Sequence, residues 1–220
     1  REFTGYIQDV RVYKGVAKYT ENFVVPATEP DVLPDTPSGV SGKTNLTKIT
    51  EGAVSFDGSG DYLRISNSSD FSFGSGNFTV ECFAYCAGNT TGTSQVIAAV
   101  YDTSDSKRSW QLTRHGSGNN IRFYYSATGS SPQSVDDTSS TRQDRWQHIA
   151  AVRNGGTLSL YIDGVNVGSA SISGSLYDNT SDDLTVGATD AGGTVQQYFN
   201  GYISNLRVIK GTALYTSDFT

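Results

Sequence analysis

The stretch "RWQHIAAVRNGGTLSLYIDGVNVGSASI", residues 145–172, constrains the fold more than any other part of the chain. It reads as strand, tight turn, strand, tight turn, strand. Asn154-Gly155-Gly156 and Asp163-Gly164 accept the positive φ that short hairpins need. The same period of two runs through "AVSFDG", "DYLRIS", "QVIAAVYD", "SWQLTR", "NIRFYYSA", "DDLTVGA" and "FNGYISNLRVI". In "NFTVECFAYC" it sets Phe78, Val80, Cys82 and Ala84 against Thr79, Glu81, Phe83 and Tyr85. No window holds a helical period, and only "GTALYTSD" offers a short turn of helix. Many short strands joined by Gly, Asn and Asp turns predict an all-β fold, an antiparallel two-sheet sandwich. Trp146, His148, Ala150 and Val152 alternate with Ile149 and Ala151, so this strand is apolar on both faces. It belongs in the middle of a sheet, with one face on the core and the other under loops or lining a groove.

The chain opens on nearly the phrase it closes with. "GYIQDVRVYKGVAKYTENF" (5–23) and "GYISNLRVIKGTALYTSDF" (201–219) share 11 of 19 positions without a gap. A repeat of this length, at a separation of 196 residues, implies repetition of whole domains rather than of solenoid units. Residues 24–41, "VVPATEPDVLPDTPSGVS", carry four of the five prolines and read as an extended linker. The organisation expected is therefore a terminal-strand remnant of a preceding repeat at 1–23, a linker at 24–41 and a complete domain at 42–220. With no Met anywhere, the chain reads as a piece of a longer protein. The spacing Ile203-x-x-Leu206-x-Val208 predicts a β-bulge that turns all three side chains inward, and Ile7, Val10 and Val12 repeat it. An apolar strand of this kind needs a partner, so residues 1–23 are expected to pair with a neighbouring repeat or subunit.

The net charge is −6 and no basic block is interleaved with aromatics, which argues against nucleic acid as a partner. No apolar run approaches the roughly 20 residues of a membrane span, so no membrane insertion is expected. Cys82 and Cys86 lie on one face of a strand, about 13 Å apart. A disulfide needs Cα atoms within roughly 7 Å, so both read as buried thiols.

"VSFDGSGDYLRI", "NFTVECFAY", "RWQHIAAVRNGGTLSLYIDG" and "FNGYISNLRVIKG" resemble, in that order, the landmark strands of laminin-G-like, concanavalin A-like domains. The match spans about residues 50 to 210. The "KGxAxYTxxF" tail is similar to repeats in bacteriophage tail fibres and exoproteins of marine bacteria. The resemblance implies a jelly roll whose last strand lies near its first. It also implies a non-catalytic module that binds surface glycans, in a virion fibre or extracellular adhesive protein. The alternatives are a structural module without a ligand and, more remotely, a glycoside hydrolase. Hydrolases on this fold carry a Glu-x-Asp-x-x-Glu strand, and Glu2, Glu21, Glu29, Glu51 and Glu81 each fail to start one. The resemblance further implies that His148 is structural and faces inward.

Sugar recognition needs aromatic platforms and planar polar groups. Between residues 100 and 125 the candidates are Tyr101, Trp110, Arg114, Tyr124 and Tyr125. Trp110 alternates with Leu112, which favours the core, and Tyr124 and Tyr125 point to opposite faces. Calcium is the candidate cofactor, because it takes oxygen ligands from several carboxylates and carbonyls. Asp102 and Asp105 in "YDTSDS" and Asp190 in "GATDAGG" are its candidate ligands. By their order along the chain they resemble the calcium loops of pentraxins. Asp57, Ser59 and Asp61 in "FDGSGD" equally suit a turn that bonds its own backbone.

Overall fold

The structure is a computed structural model that describes residues 52–90, 92–138 and 143–219. The leading copy of the repeat and the proline-rich stretch lie outside the described residues. In chain order the strands are β1 (Val54–Asp57), β2 (Leu63–Ile65), β3 (Phe78–Cys86), β4 (Gln95–Asp102), β5 (Lys107–Arg114), β6 (Ile121–Ser126) and β7 (Pro132–Asp136). They continue as β8 (Trp146–Asn154), β9 (Thr157–Ile162), β10 (Val165–Ser171), β11 (Leu184–Val186), β12 (Thr189–Ala191), β13 (Thr194–Gln196) and β14 (Asn200–Lys210). The first sheet runs β1-β14-β3-β8-β9-β10 and the second β2-β11-β4-β5-β6-β7, while β12 and β13 form a small hairpin. Neighbouring strands pair antiparallel, and the two sheets stack as a jelly-roll sandwich.

The period of two explains the layers. Phe78, Val80, Cys82 and Ala84 of β3 face Trp110 and Leu112 of β5 and Phe123 and Tyr125 of β6 in one core. Trp110 stacks between Phe73 and Phe123, with ring centroids 5.6 and 6.1 Å away. Burying each large apolar side chain contributes about 1.5–3 kcal/mol, which makes this layer the main source of stability. The β9–β10 turn has positive φ at both Asp163 (50°) and Gly164 (82°), the backbone that a two-residue hairpin requires. Strand β14 slips register against β3 between Ser204 and Arg207, and Asn205 adopts φ 52° there. The slip points Ile203, Leu206 and Val208 into the core, as the sequence spacing predicts.

Cys82 and Cys86 are buried free thiols. No helix among the described residues is long and apolar enough to cross a membrane. The helical turn expected in "GTALYTSD" does not form, and residues 211–219 carry no regular element. They lie over the first sheet as a strap.

Candidate functional site

The two outer faces of the sandwich differ in what covers them. On the first sheet, Leu214 and Tyr215 of the strap pack with Ala150, Val152 and Tyr161. Phe219 stacks on Tyr215 at 3.7 Å and meets His148 and Tyr161 edge-on or tilted. Backbone bonds pin the strap at both ends, from Gly211 N to Asn77 O (2.7 Å) and from Phe219 N to Gly164 O (2.9 Å). The apolar outer side of β8, which the sequence assigns to a loop cover or a groove, is thus covered from His148 to Val152.

Beneath the strap sits Glu81, almost fully buried. Its carboxylate accepts from the Tyr215 hydroxyl (2.8 Å), His148 Nε2 (3.0 Å) and Arg207 Nε (2.6 Å). Arg207 Nη2 closes a second bond to the same carboxylate. Burial alone would raise the Glu81 pKa. The hydrogen bond and charge of His148, the charge of Arg207 and the Tyr215 hydroxyl outweigh it and hold the pKa below 4.5. His148 is structural, as expected, but it does not face the core between the sheets. Its position in β8 puts it on the outer side, where Phe83, Tyr215 and Phe219 bury it.

The second sheet presents a different outer face. Ala99, Gln111, Tyr124 and Ser134 fall in one register row across β4 to β7. Val96, Ala99 and Tyr101 form a small apolar cluster against which Tyr124 packs, with the two tyrosine rings 6.3 Å apart. Beside Tyr124, Arg122 holds Asp136 through Nε and through Nη2 (3.1 Å), and its Nη1 donates to the Tyr124 hydroxyl at 2.6 Å. The guanidinium also lies 5.2 Å from the Tyr124 ring centre. From the other side comes Gln197, in the left-handed region at φ 57°, with its side chain 3.4 Å from Gln111 Nε2. Non-glycine residues held in this region concentrate at functional sites. The hairpin β12–β13 docks on β4, where Thr189 Oγ1 donates to Tyr101 O (2.9 Å). A half-buried aromatic ring flanked by a guanidinium, a carboxylate and two amides is thereby assembled before any ligand arrives.

Of the sequence candidates, Tyr101 and Tyr124 come together here, and Tyr124 is the one whose ring is partly open. Burial pushes the Tyr101 pKa up to about 12, so its hydroxyl stays protonated at neutral pH. Trp110 and Tyr125 are corrections: both sit on the inward side of their strands, in the core, where no ligand reaches them. Arg114 is a third correction, because it is fully buried and spends its donors on the carbonyls of Ala87 (3.1 Å) and Gly88. Sequence reasoning missed Arg122, Asp136, Gln111 and Gln197. Arg122 was findable, because in "IRFYYS" it stands two residues before Tyr124 and so shares its face.

The loops of Asp102 and Asp190 do meet, since Asp102 accepts a backbone bond from Gly192. Their carboxylates bond protein donors. Asp102 is spent on Ser104 N and Oγ (both 2.7 Å), Asp190 on Arg64 (2.6 Å) and Gly193 N (2.7 Å), and Asp105 pairs with Lys107 (3.3 Å). Among the described residues, no three His, Cys, Asp or Glu side chains are grouped to hold a metal. In the third acidic loop Asp57 accepts from Ser59 N (2.7 Å), the backbone-bonding role of a turn aspartate.

Residues 57–215 match the family model of laminin G-like domains in the concanavalin A-like lectin/glucanase superfamily, and the chain belongs to that superfamily. Comparison with curated proteins finds no match. Among solved structures, the chain is similar to the carbohydrate-binding module of a Ruminococcus gnavus sialidase bound to α2,3-sialyllactose, at 15% identity and TM-score 0.54, covering 70% of this chain and 91% of that one. It is also similar to a Bacteroides ovatus protein described as a candidate carbohydrate binder, at 17% identity and TM-score 0.55, covering 71% and 42%. The binding domain of Paraclostridial Mosquitocidal Protein 1 matches at 14% identity and TM-score 0.55, covering 73% and 40%. At these identities the likeness is one of fold.

Proposed function

We propose that the chain is a non-catalytic glycan-binding module of a tandem-repeat protein displayed on a virion or secreted as an adhesin. Its ligands are surface glycans, held on the outer face of the second sheet by Tyr124, Arg122, Asp136 and Gln197, with the buried Gln111 positioning Gln197. The observation that carries this reading is the preassembled cluster on the outer face of the second sheet, where the half-buried Tyr124 ring stands beside the Arg122–Asp136 pair. The family, and the sugar bound by the Ruminococcus gnavus module, support it. The repeated phrase at residues 5–23 supports an array of such domains that meet through these segments. A glycosidase needs two opposed carboxylates. Glu81, the one glutamate among the described residues, is locked under the strap on the opposite sheet, which supports a binding role.

Sialic acid itself is not carried over to this chain. The cations of the second sheet already bond protein acceptors: Arg64 with Asp190, Lys107 with Asp105, Arg108 with the Thr103 and Ser130 carbonyls, Arg114 with Ala87 and Arg122 with Asp136. Neutral hexoses fit this face better than anionic sugars.

A glycan array read with and without a chelator tests the proposal. Neutral glycans are expected to bind equally in both conditions, and Tyr124→Ala to weaken binding about tenfold, the loss of one stacking contact of about 1.4 kcal/mol. Absence of binding on the whole array would leave a purely structural module. Binding abolished by the chelator would restore the calcium site.

A further inference from the structure

The strap does not cover the whole outer face of the first sheet. Tyr202 of β14, Tyr85 of β3 and Trp146 of β8 stand in one register row across three adjacent strands. The row lies next to Phe83 and His148, the latter under Tyr215 and Phe219 of the strap. Tyr85 lies 6.0 Å from Trp146 and 5.8 Å from Tyr202, and Trp146 and Tyr202 are 6.3 Å apart, so each ring touches the other two. The shelf is open: Trp146 is 37% and Tyr202 44% exposed. Trp110, the second tryptophan, is by contrast fully buried.

The geometry points to this shelf as a second saccharide-binding platform, one that takes a neutral pyranose. Three features select that ligand. The surface is aromatic rather than aliphatic, and two of its rings carry phenol hydroxyls. It can therefore stack on the C–H face of a sugar and bond the hydroxyls at the sugar's edge. The charges that precede Trp146 in the chain, Asp144 and Arg145, are both exposed and of opposite sign, so nothing selects an ionic ligand. The area is too small for a protein partner, because a specific interface buries roughly 800 Å² over some 20–30 residues on each side. A shelf three side chains wide falls far short of that and matches one or two sugar rings. The inference rests on this cluster alone and not on the proposed site of the second sheet.

Tryptophan fluorescence tests it directly, because Trp146 is the exposed reporter and Trp110 the shielded one. The full chain is titrated with soluble neutral β-linked gluco-oligosaccharides and chito-oligosaccharides, and acrylamide quenching is followed. The expected result is a blue shift with protection of Trp146. Tyr202→Ala weakens this response about tenfold, Trp146→Phe removes the emission change, and Tyr124→Ala leaves it in place. Unchanged quenching of Trp146 at saturating sugar overturns the inference, and so does binding of no oligosaccharide. If Tyr124→Ala abolishes binding while Trp146 stays silent, the sugar sits on the second sheet and the shelf is empty. Protection that rises with protein concentration in the absence of sugar, together with a dimer in sedimentation, also overturns it by naming a second copy as the occupant.

Discussion

Glu81 shows how one buried charge ties the strap to the sandwich. Desolvating a carboxylate is costly, and only the Arg207, Tyr215 and His148 contacts offset it. Two of those partners, Arg207 and Tyr215, belong to the repeated phrase, and both recur in the leading copy as Arg11 and Tyr19. Glu81→Ala strands Arg207 and should destabilise the domain by about 3 kcal/mol, read as a lower urea midpoint. The pH dependence has a definite sign. The folded pKa of Glu81 lies below its ordinary 4.5, so its contribution is complete above that value and is lost as pH falls through the folded pKa. Stability measured from pH 6 downward should therefore fall in the acid range, and Glu81→Gln should flatten that fall. The cysteines give a second residue-scale prediction. Burial pushes the Cys86 pKa up to about 11 and that of Cys82 higher still, so neither is a nucleophile near neutrality. A thiol reagent at pH 8 should label no cysteine in the native chain and both in denaturant. Labelling of the native chain would show that β3 is not buried as described.

At the level of elements, β14 and the strap act as one closing unit. Gly201, its second residue, has φ 143°, a backbone that favours glycine, and an added Cβ would overlap the Tyr85 carbonyl oxygen. Gly201→Ala should destabilise the domain by about 1–3 kcal/mol through this overlap, checked by urea denaturation. Strands, turns and the β14 bulge were legible in the sequence because each is a local pattern: alternation, Asp-Gly, or Ile-x-x-Leu-x-Val. The strap was half legible. The two-faced apolar pattern of β8 demanded a cover, but "GTALYTSD" has the composition of a helical turn, and the identity of the cover depends on where the chain returns after β14. Strands β12 and β13, of three residues each, carry too little alternation to be read at all.

For the whole molecule, the site was less legible than the fold because function here depends on which of four sheet faces a side chain joins. Tyr124 and Tyr125 are neighbours in sequence, yet one lies on the open face and the other in the core. Period two tells such residues apart but does not say which face is which. The partners Gln111 and Gln197 are 86 residues apart, and no sequence spacing joins them. The acidic loops were read from composition alone, which does not show the donors that satisfy them: Ser104 for Asp102, Lys107 for Asp105, and Arg64 with Gly193 for Asp190. The central claim is that the open face of the second sheet holds a neutral glycan. It is tested most directly by mapping amide NMR shifts of the full chain on titration with a neutral oligosaccharide that binds. The account predicts perturbations concentrated at outward positions of β5, β6 and β7, at Gln197 and around Tyr124. Shifts confined to the strap and the Glu81 network, with the second sheet silent, would contradict it.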